Sequence, residues 1–158
     1  MKLHHFAIIS MVGIVCSFSL NEVGIAQQSP VHSFTAKLTG AAEVPARPAT
    51  ANGSALVTIY GQNRLCYKIT TSGVSNLTAA HIHQGTNGFN GAIVVPLITP
   101  SENPTTHCTV GDPNILMGII RNPSDYYVNV HTQTYPNGAL RGQLTAKEST
   151  MGTPNMAK

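Results

Sequence analysis

The chain has 158 residues, a formal net charge of +3 and only 9% charged residues. Its lysines and arginines are scattered singly, without runs or interleaved aromatics, which argues against a nucleic-acid surface. Glycine, threonine, asparagine and proline are plentiful, a composition suited to short strands joined by turns rather than to long helices.

Residues 1–26 read as a secretory signal peptide. Lys2, His4 and His5 make a short polar start, Phe6 to Leu20 is nearly all apolar, and Val23-Gly24-Ile25-Ala26 ends in small residues before Gln27. The apolar stretch is short for a bilayer span, although a retained N-terminal anchor is the other reading of the same segment. Cys16 follows Val15 rather than a small residue, so it belongs to the signal and not to a lipid-attachment site. Residues 27–147 are then one domain with a sizeable core, and no later run is long enough to span a membrane. The tail 148–158 has no periodicity and is expected to be disordered. These features place the mature chain outside the cytoplasm, whether secreted, periplasmic or at the cell surface.

In chain order, Phe34 to Thr39 alternates Phe34, Ala36 and Leu38 against Thr35, Lys37 and Thr39, the pattern of a half-buried strand. Gly40 to Asn52, with Pro45 and Pro48, is a long connection. Ser54 to Tyr60 and Arg64 to Thr71 flank Gly61-Gln62-Asn63 and predict a hairpin. Thr78 to His83 and Ala92 to Leu97 are the next strands. Asp112 suits a helix N-cap, Pro113 the first helical position, and Ile115, Leu116 and Ile119 recur at helical spacing until Asn122-Pro123 stops them. Tyr126 to Thr132 and Ala139 to Ala146 complete seven strands. Short strands with turns between them predict an all-β antiparallel sandwich or barrel carrying one short helix.

Two cysteines remain in the mature chain, Cys66 and Cys108. An oxidising compartment favours one disulfide between them, closing a loop of roughly forty residues and stabilising the fold by about 4 kcal/mol in the chain-entropy model. A metal or redox pair of His107 and Cys108 is the alternative, and it requires Cys66 to be free.

Strand phasing singles out the residues that carry chemistry. In Tyr126 to Thr132, Val128 and Val130 face the core, leaving Tyr127, Asn129 and His131 on the other face; the same logic buries Leu140 and Leu144 and turns Arg141 and Gln143 outward. His81 and His83 likewise point away from the core that takes Ala80 and Ile82. Three imidazoles on polar faces form a candidate metal site, and an all-imidazole donor set suits copper or, less well, zinc. Arg141 is the candidate catalytic residue, drawing an anion or small oxidant to the site. Asn129 and Gln143 are candidate hydrogen-bond partners that fix the rings. Glu43 is the one mature acid without a local role, and it is grouped with them. The alternative is that the histidines bond to turn carbonyls and hold the Gly85 to Gly91 loop. No hydrolase, phosphate-binding or metalloprotease motif is present.

Several separate motifs, in order, resemble the chordin-domain (CHRD) family over about residues 33 to 146. They are Leu38-Thr39-Gly40-Ala41-Ala42-Glu43-Val44-Pro45, Ala80-His81-Ile82-His83 with Gly91, Val95-Pro96-Leu97, Asn122 to Thr132, and Pro136 to Leu144. The Cys66 and Cys108 pair is similar to that of many prokaryotic members. The resemblance implies an extracellular β-sandwich of immunoglobulin-like type, without a settled activity. Fainter is a similarity to copper/zinc superoxide dismutase, a Greek-key barrel in which a His-x-His strand, a later Val-x-His strand and a late arginine occur in the order of His81, His83, His131 and Arg141. Between His83 and His131 only His107 occurs, so no zinc subsite is implied and at most a single metal remains.

Two functions follow. One is an exported domain with a mononuclear copper site that binds metal or carries out superoxide chemistry. The other is a non-enzymatic module in which Tyr126-Tyr127 and the loops around Phe89 and Tyr135 present a surface to an extracellular protein or polysaccharide.

Overall fold

Alternating burial organises the molecule, for which a computed structural model describes residues 31–48, 50–98 and 102–147. The expected signal segment, Cys16 and the tail beyond Lys147 lie outside these residues. The strands are β1 (Val31–Thr39), β2 (Asn52–Tyr60), β3 (Arg64–Ser72), β4 (Leu77–Gln84), β5 (Ala92–Leu97), β6 (Thr105–Val110), β7 (Tyr126–Thr132), β8 (Leu140–Gln143) and β9 (Thr145–Ala146), with helix α1 (Pro113–Arg121) between β6 and β7. They pair antiparallel in the order β5-β4-β7-β8-β1-β2-β3-β6, with β9 added to β1, and curl into a nearly closed barrel. The all-β expectation with one short helix holds.

The inward face of every main strand is apolar. Phe34, Ala36 and Leu38 of β1, Val57 and Ile59 of β2, Leu65, Tyr67 and Ile69 of β3, Ile82 of β4, and Val128 and Val130 of β7 make one continuous core. Burial at about 25 cal/mol per Å² of apolar surface is the main force holding the strands together. The helix adds Leu116 and Ile119 to that core, and its first turn is capped as its sequence predicts, with Asp112 accepting from the Asn114 and Ile115 N–H groups. The β2–β3 turn also forms where expected, with Gly61 at φ 59°.

Three expectations need correction. Strand β6 has no counterpart among the seven predicted, because it is an edge strand exposed along most of its length and so carries no apolar alternation. The single strand expected from Ala139 to Ala146 is two, β8 on β7 and β9 on β1, with Leu144 between them donating its N–H to the Tyr126 carbonyl at 2.9 Å. The first strand begins at Val31, three residues before its apolar alternation starts. Cys66 and Cys108 are register partners on β3 and β6 and are joined by a disulfide that ties this edge to its neighbour.

Candidate metal centre

The outward face of β4, β7 and β8 carries the polar residues that phasing assigned to it. Their register is His81 opposite Asn129 opposite Arg141, and His83 opposite Tyr127 opposite Gln143, with Ala79 opposite His131 one step along. Topology thus makes β4 and β7 neighbours and brings the three histidines together. Each offers a ring nitrogen, and these atoms all lie within 4.8 Å of one another. The tightest approach is between His81 Nδ1 and His131 Nε2 at 3.0 Å. Nitrogens bound to a metal at about 2.0–2.1 Å stand roughly 3.3–3.6 Å apart, so the widest gap needs to close by about 1 Å, within reach of a side-chain rotation.

This face is not open, contrary to the outward placement that alternation alone implies. All seven residues of β7 are buried, Arg141 is 1% exposed, and Glu43, grouped by sequence with the candidate hydrogen-bond partners, is 5% exposed. Three connections form the cover. Residues 40–48 lie over it through Asn90 Nδ2 donating to the Val44 carbonyl and Arg47 Nε donating to the Gly138 carbonyl. The 85–91 loop is held by Arg141, whose guanidinium donates to the carbonyls of Thr86 at 3.0 Å and Phe89 at 2.7 Å and to Asn90 Oδ1 at 3.3 Å. Residues 133–138 join the cover through the Pro136 carbonyl on His131 and the Tyr135 ring beneath the Arg47 guanidinium.

Two of the covering loops supply a carbonyl that sets the site. His83 Nδ1 donates to the Gly91 carbonyl at 2.9 Å, and His131 Nδ1 donates to the Pro136 carbonyl at 2.9 Å. A carbonyl only accepts, so both rings carry their hydrogen on Nδ1 and keep Nε2 as a lone pair, which in His131 accepts the Nδ1–H of His81 at 3.0 Å. The His83 Nε2 is buried with no hydrogen-bond partner among the described residues. Tyr127 stacks on His83 with ring centroids 4.8 Å apart, carries the Arg141 guanidinium 3.5 Å over its own ring, and accepts the Gly91 N–H on its hydroxyl at 3.1 Å. Gly91 is required here because a Cβ would fall on the Gln84 carbonyl, and only that close approach brings the Gly91 carbonyl to His83.

Burial also sets protonation. Desolvation, with the charges of His131 and His83 behind it, pushes the half-buried His81 down to about 4, and burial lowers His83 as well. Both rings are therefore neutral at neutral pH, the state in which imidazole binds metal. Burial raises the Glu43 carboxyl to about 7 against the opposing effects of the Asn129 hydrogen bond and the Arg141 and Arg47 charges.

The remaining expected residues fall close by but do other jobs. Asn129 donates to Glu43 Oε2 at 3.3 Å, and Gln143 donates to the carbonyls of Gly85 and Ser124, both at 2.6 Å. The ring-fixing partners are instead the backbone carbonyls of Gly91 and Pro136, the turn-carbonyl bonding that is the alternative reading of these histidines; the two glycines bracketing the loop after His-x-His are its signal. Arg141 lies beneath a loop rather than at a mouth. Of the residues expected to present a docking surface, Tyr126 and Tyr127 are 5% and 1% exposed and contribute none, whereas Tyr135 is half-buried and Phe89 stands out at 69%.

A family model described as the CHRD domain matches residues 34–144, which runs from β1 to the residue after β8 and contains every residue of the centre. No curated protein and no solved structure matches the chain at a significant level. The cross-strand disulfide fits an extracellular protein, and among the described residues no helix is long and apolar enough to cross a membrane.

Proposed function

We propose that this chain, which belongs to the CHRD domain family, is an extracellular metal-binding module that holds one copper ion on His81, His83 and His131. The observation that carries the reading is the buried, unpartnered Nε2 of His83, aimed into a cluster whose other nitrogens lie within 4.8 Å. A lone pair left dry and unbonded costs about 1–3 kcal/mol, which a metal ion would recover. Two of the rings are already locked in the ligating tautomer by loop carbonyls, an arrangement that raises ligand basicity and lowers the ordering cost of binding. His81, which donates its Nδ1–H to His131 Nε2 in the metal-free arrangement, joins the set when that hydrogen moves to its Nε2 and the metal takes the place of the hydrogen bond. The all-imidazole donor set favours copper, and divalent copper outranks zinc at such a site.

Copper held there supplies one-electron exchange with a small oxygen species such as superoxide. The chain's own part is to hold the nitrogens: Arg141 pins the 85–91 loop, and the loop pins His83. We assign Arg141 this positioning role in place of anion guidance.

Metal content decides the matter. Mature protein purified without a polyhistidine tag, loaded with Cu(II) and dialysed against a weak chelator, is expected to retain about one copper per chain, while His83→Ala and a triple His81→Ala, His83→Ala, His131→Ala variant retain none. Equal copper in the triple variant overturns the site. A dismutase assay on loaded protein then separates turnover from storage.

A further inference from the structure

On the opposite side of the barrel, β1, β2 and β3 turn their polar faces to an open, shallow groove of about 490 Å³. Its floor is Ala36, Ala55 and the half-buried Leu56, and its walls are Thr35, Ser54, Thr70 and three lysines, Lys37, Lys68 and Lys147. These are all the lysines among the described residues, gathered from scattered positions in the sequence. None of the lining residues is acidic. Lys37 lies opposite Ser54, which lies opposite Thr70, and Lys68 lies two residues along from Thr70. With strands about 4.8 Å apart and a rise of about 3.4 Å per residue, the Lys37 and Lys68 side chains leave the sheet about 12 Å apart.

We propose that this groove binds an acidic polysaccharide bearing one carboxylate per sugar. A partner must bring negative charge to meet three exposed ammonium groups and hydroxyls to meet those of Thr35, Ser54 and Thr70. Widely spaced lysines match a polymer of low charge density, whereas a densely sulfated chain is met by contiguous basic clusters. A nucleic acid finds neither aromatic platforms nor arginines in the lining. An acidic peptide that docks by adding a strand needs a free edge, and β1, β2 and β3 are each paired on both sides. The surface is separate from the histidine centre, so the two readings fail independently.

The test is binding of the full mature chain to polygalacturonate in about 0.1 M salt, with neutral dextran, dextran sulfate, polyglutamate and single-stranded DNA as competitors. A K37A/K68A/K147A variant is expected to lose at least about tenfold in affinity, and a matching Lys→Arg variant to keep it; these side chains are exposed, and an unchanged melting temperature verifies that the variants fold. A Ser54→Ala, Thr70→Val pair is expected to weaken polygalacturonate binding and leave polyglutamate unaffected. Absence of polygalacturonate binding, equal affinity in the lysine variant, or tighter binding of polyglutamate or DNA overturns the proposal.

Discussion

The two sides of the barrel are built on the same alternation and end in opposite states. On β1, β2 and β3 every second residue is buried and its neighbours meet solvent, so Thr35, Lys37, Lys68 and Thr70 are exposed. On β7 the same alternation of inward valines and outward polar residues is present, yet all seven positions are buried. Period two decides which face a side chain takes; loops decide whether that face sees water. A polar face under a roof must satisfy its own hydrogen bonds, and those left over, at His83 Nε2, Glu43 Oε1 and Asn129 Oδ1, mark where chemistry is concentrated.

The largest expected effect comes from removing the residue that holds the roof. Arg141→Met keeps most of the packing volume but strands the Thr86 and Phe89 carbonyls and leaves Glu43 beside one fewer cation. Losing a buried charge engaged on several partners is expected to cost about 3–5 kcal/mol, read from urea unfolding. If the roof also positions His83, copper affinity falls by about 10–100-fold. A variant that unfolds at the wild-type midpoint would mean that the loop holds itself, and the distinction between the faces would lose its cause.

How much of this was legible depends on where the information sits. The helix could be placed because Asp112, Pro113 and Asn122-Pro123 are local signals, and the faces of β4 and β7 could be assigned because Ile82, Val128 and Val130 leave one choice of phase. Strand β6 could not, since an edge strand exposed on both faces has no apolar pattern. The cover was legible only in part: turn carbonyls of the Gly85 to Gly91 loop were an alternative partner for the histidines, but the carbonyls of Pro136, Thr86 and Phe89 were not singled out, because carbonyl direction is set by tertiary structure. Arg141 was read as outward because Leu140 and Leu144 set the phase of its strand, and phase does not show cover; an arginine is fully buried only where its donors are met, and the acceptors that meet them belong to a loop about fifty residues away in sequence.

Glu43→Gln probes the roofed face at intermediate size. With its folded pKa raised to about 7 from 4.5, the Glu43 carboxyl stabilises the native state fully below the unfolded value, and that contribution is lost as pH rises through about 7. Depressed His81 acts in the other sense, withdrawing stability as pH falls from 6.5 through about 4. The difference between wild type and Glu43→Gln cancels the histidine contribution. It is expected to be near zero at pH 4.5 and to favour the variant at pH 8 by on the order of 2–3 kcal/mol after allowance for screening. A difference independent of pH would show that the carboxyl titrates as it does in solvent, and hence that water reaches it.

The smallest effect belongs to the open face, and its smallness is the point. Lys68 occupies an outward position in β3 as Arg141 does in β8, and each is a long cationic side chain on a paired strand. Among the described residues nothing covers Lys68, so its ammonium is hydrated in both folded and unfolded states and its removal strands no acceptor. Lys68→Met is therefore expected to shift stability by less than about 0.5 kcal/mol in the same urea experiment. Relieving repulsion among the three groove lysines could add a few tenths of a kcal/mol at low salt, and raising ionic strength should erase that gain. A loss as large as that of Arg141→Met would mean that Lys68 is held by structure, and the groove could not then be an open surface awaiting a ligand.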